Sequence, residues 1–174
     1  MVVEELDLGA DRLVLQAELA NMSAEHAFAH FVQPELLTRW WPTEAEVEPR
    51  AGGWYHLAWP TQDWHLRGRY TIFEPTRSLA FTWQWDHEPE QPLRHVAVDF
   101  AGYAEGGGCL LTVTHAVYGG TSDEQDERES HRQGWTHFLA QVVCAQLERE
   151  ARAVARRRRR QPLGTAPPDV DVRP

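Results

Sequence analysis

Apolar and polar side chains alternate along much of the chain, and this period of two is typical of strands with one buried face. The alternation predicts strands over residues 12–20, 54–59, 64–73, 78–85, 94–101 and 109–117. The segments between the later strands are short and rich in turn residues, such as Gly106–Gly108. Because loops of this length cannot hold a helical crossover, we expect these strands to be antiparallel.

Helical spacing of apolar residues follows the first strand. Ser23 is a suitable N-cap for a helix over residues 24–32. Pro34 can open a second short helix over Glu35–Trp41, which Pro42 would end. The apolar stripe of the first helix consists of Ala24, Ala27, Phe28 and Phe31.

A much longer helix is predicted near the C-terminus, over residues 123–152. Its apolar stripe consists of Trp135, Phe138, Leu139, Val142 and Val143. One antiparallel sheet has one face to bury, and this helix is the element large enough to cover it. We therefore expect an α+β, helix-grip fold: a curved antiparallel sheet around a long C-terminal helix, with two short helices after the first strand.

The charge of the 174-residue chain divides it into a body and a tail. Residues 1–150 carry ten arginines against 24 acidic residues, a net charge of −14, whereas residues 151–174 carry +5. An acidic body does not suit the phosphate backbone, so we expect it to bind no nucleic acid. We assign one domain to residues 1–152 and a disordered Arg/Pro-rich tail to 153–174. The run Arg156–Arg160 is either a solvated end or a patch that binds anionic RNA or lipid.

Other features exclude several classes of protein. Cys109 and Cys144 suggest neither a disulfide framework nor a zinc motif, no apolar stretch could span a bilayer, and the acidic N-terminus is unlike a secretory signal. We expect a cytoplasmic protein without a cofactor or a bound metal.

The order and spacing of several motifs resemble the START-like superfamily, also called the SRPBCC or birch-pollen-allergen fold. Within it, the chain is similar to the family related to the C-terminal domain of the activator of the ninety-kilodalton heat-shock-protein ATPase. The matching segments, within about residues 11–150, are Phe31–Trp41, Gly52-Gly53, Gly68–Tyr70 with Glu74-Pro75, Leu79–Trp83, Leu111–His115 and Gly134-Trp135. The resemblance implies an apolar cavity. Members bind lipids, sterols or polyketides, act as cyclases or aromatases, or act on chaperones.

The chain has eight tryptophans, more than a small core needs for volume. Alternation along the strands places five aromatic residues on the inward face, where they either line a cavity or fill an aromatic core. They are Tyr55, Trp59, Tyr70, Trp83 and Trp85. The wider set of candidate ligand contacts adds Trp40, His115, His131, Trp135 and Phe138. A bulge in strand 64–73 would turn Arg67 or Arg69 inward.

Histidines are the candidates for acid–base chemistry. His115 shares a face with Leu111 and Val113, so it is either a catalytic or ligand-orienting group or a hydrogen-bonded core residue. His131 and Gln146 lie close to the stripe of the long helix, where they face a cavity or reach solvent. His26 and His30 have metal-ligand spacing, but they lie off the apolar stripe and we expect both to face solvent.

Three functions remain open. The protein binds a small hydrophobic or aromatic ligand, lipid-like or polyketide-like, with a role in stress response; or it is a cyclase or hydrolase that uses His115; or it modulates a chaperone ATPase. Exposure of Trp41, Trp54 or Trp64 would also favour a homodimer.

Overall fold

Eight antiparallel strands form a single curved sheet in the computed structural model, which describes residues 3–103 and 107–160, with side chains described as far as Val142. The strands are β1 Val3–Leu6, β2 Arg12–Leu19, β3 Glu44–Val47, β4 Trp54–Trp59, β5 Trp64–Glu74, β6 Ser78–Trp85, β7 Arg94–Gly102 and β8 Cys109–Ala116. Their order across the sheet is β1-β2-β8-β7-β6-β5-β4-β3. The predicted α+β class and antiparallel pairing are confirmed.

Three helices complete the fold: α1 Ala24–Val32, α2 Pro34–Leu37 and α3 Ser122–Arg160. The Ser23 Oγ accepts a hydrogen bond from the backbone N–H of His26 at 3.2 Å, which confirms the predicted N-cap. The predicted end of α2 at Trp41 is wrong, because the helix ends at Leu37 and turns continue through Trp40. Pro42 therefore follows a turn rather than a helix.

Buried and exposed side chains alternate along the central strands, which confirms the face of each strand that we predict to point inward. On β8 the side chains of Leu111, Val113 and His115 are buried, while their neighbours are half-exposed. On β2 the period-two set Leu13, Leu15, Ala17 and Leu19 is buried, and so is Val14, which is 4% exposed. Val14 pairs with Leu6 of β1, which lies beside it at the edge of the sheet.

The predicted irregularity in β5 is present, since the register with β6 shifts between Tyr70 and Ile72. The expectation that it would turn an arginine inward is wrong. Arg67 and Arg69 are both exposed, and the Arg67 Nε donates to the Asp86 carboxylate at 2.8 Å. The shift lies beyond both arginines, so it changes the parity only of Ile72 and later residues.

Two short edge strands were not predicted. β1 reads Val-Glu-Glu-Leu and β3 reads Glu-Ala-Glu-Val, so each offers only two apolar residues. Such segments give too short a pattern to separate a strand from a loop. Both lie at the edges of the sheet, where charged side chains can face solvent.

The long helix α3 continues past the predicted end near residue 152 and includes the run Arg156–Arg160. Residues 161–174 of the predicted tail, and the side chains of Val143, Cys144 and Gln146, lie outside the described part. Among the described residues, no helix is long and apolar enough to cross a bilayer.

Side chains and backbone of β4 and β6 pack tightly around Gly68 of β5. A Cβ atom placed on Gly68 would lie 2.5 Å from the Tyr55 Cε1 and would also meet the Thr82 carbonyl oxygen. The Tyr55 hydroxyl donates to that same carbonyl at 2.6 Å, so the ring cannot easily move away. Glycine is therefore required here for space.

We predict that Gly68→Ala lowers the free energy of unfolding by about 1–3 kcal/mol, the usual cost of overpacking a core. Urea denaturation would measure it. Gly134→Ala is the matched control, because a Cβ on Gly134 of α3 meets nothing within 4 Å. This change should raise stability by up to about 1 kcal/mol through helix propensity. Equal stability of the Gly68→Ala variant and the wild type would contradict the requirement for glycine, because both Tyr55 and the Thr82 carbonyl would have to move without cost.

Candidate functional site

A cleft of about 540 Å³ lies between the first half of α3 and the ends of strands β4, β5 and β6. The segment after β6 closes one side of it, and Trp41 from the turn after α2 contributes to its wall. The lining residues are Trp41, Trp59, Trp64, Trp83, Trp85, His87, Glu88, Gln91, Asp123, Asp126, Glu127, Ser130, His131, Gly134, Trp135 and Phe138. Six of the eight tryptophans of the chain therefore meet in one place.

These six indoles form a continuous aromatic wall. The Trp83 ring lies 5.8 Å from Trp85, 5.7 Å from Trp41 and 5.6 Å from Trp135, measured between ring centroids. The wall grades from buried to exposed, since Trp83 is 6% exposed and Trp64 is 48% exposed. The alternation of β6 explains part of it, because Trp83 and Trp85 share one face of that strand.

The structure divides the predicted ligand contacts into two groups. Lining the cleft are Trp59, Trp83, Trp85, His131, Trp135 and Phe138. Trp40, Tyr55 and Tyr70 lie instead in the packed core, where Tyr55 and Tyr70 border a void of only about 10 Å³. The Trp40 Nε1 donates to the His30 carbonyl at 3.0 Å, so that indole is fixed away from the cleft.

Sequence reasoning missed several lining residues, above all Trp41 and Trp64. Trp41, one of the three tryptophans whose exposure would favour a homodimer, is buried and packs 5.1 Å from Trp135. Trp40 and Trp41 stack at 5.3 Å between ring centroids, so their adjacency gave no signal that only Trp41 reaches the cleft. The acidic residues of α3 gave no signal either, since a charged helix start is common.

His115 is fully buried and does not line the cleft. The Trp135 Nε1 donates to the His115 Nδ1 at 3.2 Å. Because an indole N–H can only donate, Nδ1 must be the acceptor and the neutral ring carries its proton on Nε2. Burial lowers the pKa of His115 well below its usual value. Its Nε2 is buried without a hydrogen-bond partner in the described structure.

His131 is the buried histidine that reaches the cleft. Its Nδ1 is 2.8 Å from the Tyr118 hydroxyl, and its ring centroid lies 4.2 Å from that of His115. Burial lowers the pKa of His131 to about 4, although Glu127 acts in the opposite direction. The ring is therefore neutral at pH 7 and lends no positive charge to the cleft.

An ion pair beneath the cleft joins β7 to α3. The Arg94 side chain is 5% exposed and donates to the Glu127 carboxylate through Nε at 3.1 Å and through Nη2 at 2.5 Å. It also donates to the Val117 carbonyl, and its Cζ lies 4.8 Å above the centre of the Tyr118 ring. Breaking such a pair would leave a buried charge uncompensated, which costs about 3–5 kcal/mol.

The expectation that His26 and His30 both face solvent is wrong for His30, which is 3% exposed. Its Nδ1 lies 2.8 Å from the His26 carbonyl oxygen one turn earlier in α1. Part of the ring is therefore engaged within the helix. The described residues contain no group of three or more potential metal ligands.

Residues 21–143 match the family model described as activator of Hsp90 ATPase homolog 1-like protein. The chain belongs to this family. The match spans both short helices, most of the sheet and the first half of α3, so it includes every residue that lines the cleft. It confirms the resemblance inferred from the sequence. No curated protein matches the chain by sequence.

Solved structures share the fold of this activator-like family member. A Mesorhizobium loti protein superposes with a TM-score of 0.68 at 17% identity, over 79% of this chain and 97% of that one. An Hsp90 activator from Plasmodium falciparum gives 0.65 at 21% identity, over 78% and 95%. CalU16 from Micromonospora echinospora gives 0.58 at 18% identity, over 88% and 92%. At these identities the likeness shows the fold alone.

The lowered pKa of His131 predicts a specific pH dependence of stability. Below about pH 6.5 this histidine is protonated in the unfolded chain, whereas in the folded protein it stays neutral down to about pH 4. Stability therefore falls as the pH falls. Between pH 7 and pH 5 this histidine accounts for a loss of about 2 kcal/mol. His131→Asn should lose correspondingly less than the wild type when urea unfolding is compared at the two pH values.

His95→Asn is the matched control, because His95 is exposed on β7. That variant should keep the pH dependence of the wild type. If His131→Asn also keeps it, the folded ring is protonated as readily as a free histidine, and the assignment of a neutral His131 fails.

Proposed function

We propose that this protein binds a small hydrophobic or aromatic molecule in the cleft between α3 and the sheet. The observation that carries the proposal is that six indoles surround a cleft with a volume of about 540 Å³. Binding sites for drug-sized ligands commonly enclose about 300–1,000 Å³ and are lined by aromatic side chains with a few polar groups. The void beside Tyr55, about 10 Å³, is too small for such a ligand, so the cleft is the candidate site.

Exposed aromatic area supports this function over a purely structural use of the tryptophans. Trp64 is 48% exposed, and Trp59 and Trp85 are half-buried, although each contacts another indole. A core alone would gain more by burying them, since burial of apolar surface contributes about 25 cal/mol per Å². An apolar ligand seated against them would recover that contribution.

Two other functions use the same fold. A cyclase or hydrolase would need an acid or base in the cleft, and His131 is better placed for this than His115, which has no contact with it. A chaperone modulator, such as the Hsp90 activator from Plasmodium falciparum that shares this fold, would need a protein surface instead. Blocking the interior of the cleft would abolish ligand binding but leave an outer docking surface intact.

Gly134 allows the cleft to be filled from α3 without a clash, because a side chain there would extend into open space. We predict that Gly134→Leu weakens the binding of N-phenyl-naphthylamine, a neutral apolar probe, by at least about tenfold, or ~1.4 kcal/mol. The measurement is the rise in probe fluorescence as the protein is titrated.

Gly134→Ala is the matched control, because it adds the same helix propensity with little bulk and should bind nearly as the wild type does. Equal probe binding by the Leu variant and the wild type would place the ligand elsewhere. No binding by the wild type would overturn the proposed function.

A further inference from the structure

The cleft has a second chemical character besides its aromatic wall. Four carboxylates line it, from Glu88 after β6 and from Asp123, Asp126 and Glu127 on α3. No lysine or arginine lines it within the part of the chain whose side chains are described. Its remaining ionisable groups are His131, which is neutral at pH 7, and His87, which stacks on Trp64 at 6.0 Å.

Internal pairing neutralises only one of these carboxylates. Glu127 is held by Arg94, and Asp123 receives a long hydrogen bond of 3.4 Å from the neighbouring Ser122 hydroxyl. Asp126 and Glu88 form no ion pair with any residue whose side chain the structure describes. The cleft therefore keeps a net negative charge next to exposed indoles.

Helix stability accounts for part of this charge but not for all of it. Asp123 lies in the first turn of α3, where a carboxylate interacts favourably with the positive end of the helix. That interaction falls off within one turn, so it does not explain Asp126. It does not apply to Glu88, which lies outside any helix.

Tryptophan is the side chain whose ring attracts a cation most strongly, and the attraction grows when the cation is removed from water. Trp59, Trp64 and Trp85 adjoin one another at 5.5 and 6.2 Å and form the exposed part of the wall. An indole wall beside unpaired carboxylates attracts a positive charge that carries apolar groups. A neutral ligand would gain only from the indole wall, and an anion would be repelled by the carboxylates.

Trp83 marks the place where the aromatic wall of the cleft meets the packed core. The indole N–H of Trp83 is buried, although Trp83 lines the cleft, and it has no hydrogen-bond partner in the described structure. A buried donor without an acceptor costs about 1–3 kcal/mol. Because this atom is closed to solvent, a ligand in the cleft meets the ring face of Trp83 rather than its N–H.

We propose that the ligand is an amphipathic cation, an aromatic or apolar amine or quaternary ammonium compound. Its positive group lies against Asp126, Asp123 and Glu88, and its ring lies among the tryptophans. This inference rests on the proposed function, because it names the class of ligand that the same cleft takes.

Three naphthalene probes that differ in charge test the inference: naphthylmethyl-trimethylammonium, naphthylmethanol and naphthylacetate. Calorimetric titration of the wild type should give the tightest binding for the cation, about fivefold or more over the neutral alcohol, and the weakest for the anion. Raising the salt from about 0.05 M to 0.5 M should weaken the cation alone, because screening acts on charge. Asp126→Asn should weaken the cation about threefold and leave the alcohol unchanged.

Asp99→Asn is the matched control, since it removes one exposed carboxylate from β7 outside the cleft. It should leave all three affinities as in the wild type. Equal binding of cation and alcohol would overturn the cationic ligand while the proposed function stands. Binding of none of the probes would overturn both. An equal effect of the Asp99 and Asp126 changes would show only the overall charge of the protein, against the inference.

Discussion

The ion pair between Arg94 and Glu127 is the constraint on which the site depends. A guanidinium that is 5% exposed needs a charged partner, so Glu127 must come to the start of β7 and bring the first turns of α3 with it. Eight residues later, Trp135 is held against the sheet by Trp41 and Trp83. The helix is thus fixed at two points, and the cleft is the space that this placement leaves beside the ends of β4–β6.

Buried polar groups beside the cleft are less well satisfied than those of an ordinary core. His115 Nε2 and Trp83 Nε1 have no partner in the described structure, and His131 stays neutral because burial opposes its charge. Most buried polar atoms in folded proteins are hydrogen-bonded, so a concentration of exceptions is typical of functional sites. The network of Tyr118, His131 and His115 therefore belongs to the site as much as to the core, even though His115 does not reach the cleft.

Patterns of period two and 3.6 were enough to predict the six main strands, α1 and the buried stripe of α3, because each has one solvated face. They failed where a residue's position depends on packing in three dimensions. His30 lies off the apolar stripe of α1 yet is buried, and the Trp40 indole donates to its backbone carbonyl. Trp41 enters the wall through a turn, where no period applies. The short acidic strands β1 and β3 depend on their neighbours for pairing.

Parity also cannot separate a cavity from a filled core, because both need inward aromatic residues. The difference here comes from two glycines. At Gly68 the space of the absent side chain is taken by the Tyr55 ring, so the sheet near β4 and β5 is solid. At Gly134 the corresponding space is open and continuous with the cleft. The sequence neighbours, Arg67 and Arg69 for one and Gln133 and Trp135 for the other, do not predict this difference. Packing in three dimensions decides that one glycine supports a core and the other leaves room for a ligand.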